Sequence, residues 1–333
     1  MRYNMWKQLL AILMVVSLLV GCASNGNDEA EQANTEGEAA EEQTSSEDND
    51  SDDTYPLTIR DAMDNEVTFE EAPKKIVSLI PSNTEILFSL GLGDRVVGVS
   101  DFANYPEEAA SKEKIGGQEL NIEKILSLEP DVVMAHASGA HNSEQGLQQL
   151  RDAGIPVYVV QDATSFESVY DTLASVGKIT GTSGKASTIV EEMKASLVEI
   201  KQKADDIPNE EKKKVFMEVS PAPEIYTTGK GTFLNEMLNT INATNAVGDQ
   251  EGWIKMNNEA IVELQPEVIV TTYGYYTENP KEKVMSREGW DSVPAIKEEQ
   301  VYDVHSDLVT RPGPRLIEGV NELAKAVYPD TFQ

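Results

Sequence analysis

The chain has 333 residues and carries 58 Asp and Glu against 27 Lys and Arg, a formal net charge of −31. That balance excludes nucleic acid as a partner, because no basic patch exists to neutralise phosphates. A lone cysteine excludes disulfide staples, so stability must come from packing.

In chain order, Arg2 and Lys7 precede an apolar run from Leu9 to Val20 that is broken by Ser17. The run is too short to span a bilayer comfortably and reads as a signal-peptide core, with the leader over 1–21. At its end, Leu19-Val20-Gly21-Cys22 resembles a bacterial lipobox, which implies cleavage before Cys22 and acylation of its thiol. Attachment to the membrane is then through lipid and not through a helix. Residues 22–54 form the acylated cysteine and a tether, in which positions 23–54 hold twelve Asp or Glu and no Lys or Arg. Such a segment cannot bury enough surface to offset its ordering entropy, and reads as disordered with a reach of roughly 30 Å. The remaining 279 residues keep 46 acidic and 25 basic side chains and are long enough for two lobes.

The stretch 55–70 alternates apolar and polar residues around Asp64-Asn65, which predicts an opening hairpin. Strands over 75–80, 95–99, 131–135 and 156–160 then alternate with helices over 84–90, 121–128, 144–153 and 166–179. A longer helix over 185–204 sets Ile189, Val190, Met193, Leu197 and Ile200 on one stripe. After Pro208 a second series begins, with strands over 215–219, 268–272 and 301–304 and helices over 232–241, 258–264 and 315–327. Short apolar strands between amphipathic helices predict α/β architecture with parallel sheets.

The halves echo each other. Asn121-Ile-Glu-Lys-Ile-Leu-Ser-Leu-Glu-Pro130 aligns without gaps with Asn257-Asn-Glu-Ala-Ile-Val-Glu-Leu-Gln-Pro266, each followed by an apolar strand. The expectation is therefore two Rossmann-like lobes, 55–181 and 208–333, joined by a single bridging helix over 182–207. Two such lobes enclose a cleft, and ligands favour the carboxyl ends of the strands that face it.

Lys75-Ile-Val-Ser-Leu-Ile-Pro-Ser-Asn-Thr-Glu85-Ile-Leu, followed by Gly91-Leu-Gly-Asp-Arg-Val-Val-Gly98-Val, resembles the first lobe of the substrate-binding lipoproteins that serve cobalamin and ferric-siderophore ABC importers. The resemblance implies an extracytoplasmic, lipid-anchored monomer that takes a metal chelate and delivers it to a permease and its ATPase, with no cofactor and no enzymatic step. It also implies one docking glutamate per lobe, assigned by motif to Glu85 and Glu236. Glu85 has a competing role, because Ser82-Asn-Thr-Glu85 also reads as a capping box. If Thr232 caps the helix carrying Glu236, Asn235 holds that helix's third position.

Among these proteins the likeness is strongest to the cobalamin binders. Asp307 and Arg311, in the loop after the last strand, fall in the register used to touch corrin side chains, and Trp253 matches a tryptophan that packs on the ligand. Tyr226 falls near a family aromatic. The first lobe lacks the tryptophans that cobalamin binders contribute, and Phe102, Tyr105 and His136 are the nearest candidates there; a ferric siderophore or haem stays open. A second reading uses His136, His141 and His305 with Asp307 to capture zinc or manganese directly. Catalysis is not expected: Thr228-Gly-Lys-Gly-Thr232 lacks the spacing of a phosphate loop, and no nucleophile–base pairing is visible.

Overall fold

The structure, a computed structural model, describes residues 53–333. The expected leader, Cys22 and nearly all of the tether lie outside the described residues.

The first half runs β1 (Leu57–Arg60), β2 (Glu66–Phe69), β3 (Ile76–Ser78), α1 (Pro81–Ser89), β4 (Val96–Val99), α2 (Glu107–Ala110), β5 (Glu113–Lys114), α3 (Ile122–Ser127), β6 (Val132–His136), α4 (Ala137–Ala140), α5 (Glu144–Asp152), β7 (Val157–Val160) and α6 (Phe166–Thr180). After α7 (Ser183–Asp205) come β8 (Lys214–Glu218), β9 (Ile225–Thr228), α8 (Phe233–Thr240), β10 (Thr244–Asn245), β11 (Trp253–Met256), α9 (Asn258–Leu264), β12 (Val268–Thr271), α10 (Pro280–Met285), α11 (Pro294–Lys297), β13 (Val301–Asp303), α12 (Ser306–Thr310) and α13 (Leu316–Val327).

The hairpin pairs β1 with β2 antiparallel, Leu57 opposite Phe69 and Arg60 opposite Glu66. Five parallel strands then form the first lobe's sheet in the order β5-β4-β3-β6-β7, and four form the second in the order β10-β8-β12-β13. The central strands are apolar along their length: Val132 to His136, Val157 to Val160 and Val268 to Thr271 are buried at every position. Both of their faces must therefore be covered, which is the condition for an all-parallel sheet.

A single apolar core passes from one sheet to the other. It joins Ile76, Leu87 and Met134 of the first lobe to Val215, Met217 and Val270 of the second through Leu173, Met193, Leu238 and Val320 of the intervening helices. Separate clusters cover the outer face of each sheet. Helix α6 opens on a capping box of Ser165 and Ser168 and closes on Gly181 in the left-handed region, so the chain turns at once into the 23-residue α7. Gly177 permits this packing, since a Cβ there would stand 2.7 Å from the Ala186 methyl.

Helix α1 departs from its expected start. Pro81 takes the first helical position after an extended Ile80, so Ser82, Thr84 and Glu85 lie inside the helix and the expected capping box does not form. The Thr232 cap is as expected, its hydroxyl accepting the Asn235 N–H.

Candidate ligand cleft between the lobes

In each sheet the strand order reverses beside the first strand of its series, and the crevice beyond such a reversal is the usual seat of a ligand. In the first lobe the reversal lies between β3 and β6. A cavity of about 490 Å³ opens there, with Ile80, Ser100, Phe102, Gly117, His136 and Leu147 among its lining. Phe102 is 56% exposed, and its ring lies over Gly117, where a Cβ would come within 3.0 Å. His136 ends β6 and is buried; its Nδ1 accepts the Ser138 N–H at 3.2 Å, which leaves the proton on Nε2. Burial lowers its pKa, so the ring stays neutral.

The lobes meet over a charged network. Arg311 donates through Nη1 to Glu85 Oε1 and to Asn104 Oδ1, both at 2.7 Å, and its Nη2 stands 2.9 Å from Asp307 Oδ1. Asn104 returns a hydrogen bond to Asp307 Oδ2 at 3.0 Å. Arg315 adds a contact of 3.4 Å to Glu85 and lays its guanidinium 3.8 Å from the centre of the Tyr105 ring. Glu85, Asn104 and Tyr105 belong to the first lobe, Asp307, Arg311 and Arg315 to the second. Desolvation raises the Glu85 pKa, with Arg311 opposing it.

A second cross-lobe bond lies beneath α8, where Glu236 Oε2 accepts the N–H of Phe166 at the start of α6, 2.9 Å away. Nearby, Trp253 opens β11 with its ring 62% exposed, beside a cavity of about 140 Å³ that Asp162, Thr164, Thr228, Thr232 and Pro312 also line. Tyr226 shares that ribbon face, because Thr228 pairs with Trp253 and Tyr226 with Lys255 across β9 and β11. It is half-buried, and neither cavity includes it.

Comparison with known proteins settles the family. The model of the periplasmic binding protein family matches residues 76–308. The chain belongs to this family. It is a binding protein and not an enzyme. Among its relatives is the uncharacterised ABC transporter substrate-binding lipoprotein YvrC of Bacillus subtilis, 48% identical over 332 residues, covering 100% of this chain and 99% of YvrC. A cobalamin-binding protein of Halobacterium salinarum is 28% identical over 291 residues, covering 84% of this chain and 76% of that one. The solved structure of a possible iron-binding, periplasmic solute-binding protein of Staphylococcus epidermidis has 37% identity and a TM-score of 0.71, covering 78% of this chain and 100% of that one.

Several expectations for this binding protein are corrected by its geometry. Glu85 has a side chain 2% exposed and faces Arg311 and Arg315, so it offers no carboxylate to a permease. Glu236 is half-buried and committed to Phe166. The repeat instead leaves Glu123 and Glu259 exposed at matched positions, each in a first turn capped by an asparagine, Asn121 or Asn257. The signal for this pair was the alignment of the two halves. His136 lines the first-lobe cavity but is only 5% exposed, so it offers a ligand little surface. The histidine metal site also fails on geometry: His305 Nδ1 accepts the Asp307 N–H, as His136 Nδ1 accepts that of Ser138, and no cluster of three or more His, Cys, Asp or Glu side chains forms among the described residues.

Sequence reasoning missed Asn104 and the exposed pair Tyr275 and Tyr276. Asparagine and tyrosine in a loop carry no periodic signal, and their exposure is set by the fold around them.

Proposed function

We propose that this chain is the lipid-anchored, extracytoplasmic binding component of an ABC importer, and that it captures a metal chelate, with cobalamin preferred over a ferric siderophore. The observation that supports the ligand class is that both lobes carry exposed aromatic rings, Phe102 and Tyr105 on one and Trp253 on the other. Aromatic faces favour a flat macrocycle or an apolar chelate body. The cobalamin-binding relative of Halobacterium supports the first preference and the iron-binding relative of Staphylococcus the second.

Cys22 carries the anchor in this reading, supported by the lipoprotein relative that aligns along the whole chain. Replacing Cys22 with Ala releases the protein from the membrane fraction. The working form is a monomer that closes little on its cargo, because one apolar core runs through both lobes and resists hinging. Exposed Glu123 and Glu259 take the docking role on the permease. Converting both to Arg abolishes uptake and leaves ligand affinity unchanged; lost affinity counts against docking.

Titration calorimetry of the purified chain with cyanocobalamin, ferrichrome and zinc tests the ligand. Tight cobalamin binding supports the proposal. An isotherm with ferrichrome alone moves the cargo to siderophores, and one with zinc alone overturns the chelate class.

A further inference from the structure

The order reversal in the second sheet lies between β8 and β12, and the space beyond it is built rather than empty. Glu218, the last residue of β8, is fully buried and receives both Nη atoms of Arg287 and the hydroxyl of Tyr273. Burial, then the charge of Glu218, pushes the Tyr273 phenol far above its ordinary range, so it stays a donor. The next residue, Gly274, donates its N–H to Asp303 Oδ1 at 3.1 Å, and a Cβ there would lie 2.2 Å from Asp303 Oδ2. Only glycine fits. The N–H groups of Tyr276 and Thr277 then both turn back to the Tyr273 carbonyl, at 3.2 and 3.0 Å.

The loop is thus pinned at its first two residues, yet the following two side chains stand in water. Tyr275 is 61% exposed and Tyr276 56%. Their rings meet edge to face with centroids 4.7 Å apart, and Tyr275 lies 5.8 Å from the His305 ring. His305 is fixed in turn: its Nδ1 accepts the Asp307 N–H at 3.2 Å, so its Nε2 carries the proton. Asp307 reaches Asn104 of the other lobe, which puts the cluster beside the lobe junction. Burial, with Tyr275 adding to the rise, holds the Tyr276 phenol protonated. Large apolar rings on a rigid, wet loop at a sheet's switch point are a preorganised contact surface, with little ordering left to be done on binding.

We infer that Tyr275, Tyr276 and His305 form the second lobe's reading ledge, whose rings cover the body of an uncharged chelate and whose phenol and imidazole hydrogens bind carbonyl oxygens on its periphery. The inference rests on the chelate-binding reading above. It adds a preference for charge. The ledge holds no Lys or Arg of its own, Arg311 is held by Glu85 and Asp307, and Arg315 by Glu85. A cargo edged with carboxylates meets Asp303 and Asp307 there and gains no unpaired arginine from this network. Glu218, Tyr273 and Arg287 act as positioning residues for the ledge.

The test uses the full chain in detergent and two ligands with one macrocycle: dicyanocobinamide, with an amide periphery, and dicyanocobyrinic acid, with a carboxylate periphery. Wild type is expected to bind the amide form about 100-fold more tightly. The Tyr275→Ala/Tyr276→Ala variant should lose on the order of 30- to 100-fold in affinity for it, with an unchanged melting temperature, as two exposed stacking rings are removed. The Tyr275→Phe/Tyr276→Phe variant should keep most of the affinity and lose about tenfold of the discrimination. Equal binding of the two forms by wild type, or wild-type affinity in the double alanine variant, overturns the inference alone. If wild type takes only ferrichrome, an uncharged hydroxamate chelate, the double alanine variant decides on that ligand in the same way. Failure of wild type to bind any of the three overturns the chelate reading and the ledge with it.

Discussion

Replacing Arg311 with Ala tests the interlobe network at its centre. The substitution removes bonds of 2.7 Å to Glu85, 2.7 Å to Asn104 and 2.9 Å to Asp307. Hydrogen bonds to charged groups contribute about 1.5–3 kcal/mol each, so a plain sum would overstate the loss. Two things reduce it. Arg315 remains 3.4 Å from Glu85, and the Asp307 side chain, 15% exposed, can recover water. What cannot recover is Glu85, whose side chain is 2% exposed, and breaking a buried pair costs about 3–5 kcal/mol. The expected destabilisation is therefore about 3 kcal/mol, at the lower end of that range because one guanidinium stays. Adding Glu85→Gln in the Arg311→Ala background should restore about half of it, since the buried charge is removed, and because Glu85→Gln alone also costs stability the coupling should be at least about 1.5 kcal/mol. Urea unfolding followed by circular dichroism measures all four corners of the cycle. A loss under about 1 kcal/mol, or additive effects of the two substitutions, would refute the claim that this network ties the lobes together.

Trp253→Ala should weaken cobalamin binding by about tenfold, read by calorimetry, and leave the melting temperature unchanged because the ring is 62% exposed. Gly177→Leu should destabilise by about 1–3 kcal/mol, since even a Cβ would stand 2.7 Å from Ala186; a smaller loss would mean that α6 and α7 can separate without cost. Burial raises the Glu236 carboxyl above its ordinary value of 4.5, with the Phe166 N–H opposing. A raised pKa in the folded state means that this group's contribution is full below 4.5 and is lost as pH rises through the folded value. Wild type should therefore gain stability over Glu236→Gln as the pH falls from 7 towards 4.5, in urea midpoints compared at the two ends; a gap that stays constant or reverses would contradict the buried carboxyl.

Much of the fold was legible because its signals are local. The hairpin announced itself by alternation around Asp64-Asn65, the central strands by unbroken apolar runs, and α7 by a stripe of five apolar positions. The β9–β11 ribbon was not read, because its strands are short, β11 has no buried position, and α8 and β10 separate them. The start of α1 was misread for a reason of competing signals: Ser82-Asn-Thr-Glu85 has the spacing of a capping box, but Pro81 with its fixed φ already fills the first helical position.

The site divides along the same line. Trp253, Phe102 and Tyr105 could be chosen from residue type and place in the chain, and the fold leaves all three exposed. The fate of Glu85 could not, because Arg311, which neutralises it, lies 226 positions away. By itself the sequence determined the acidic charge, the α/β alternation, the internal repeat and the family motifs, all of which depend on neighbours in the chain. Only the tertiary structure decided which glutamates face water, which arginines are already paired and which tyrosines stand in water. Exposure and pairing depend on groups that meet only when the two lobes pack around one core.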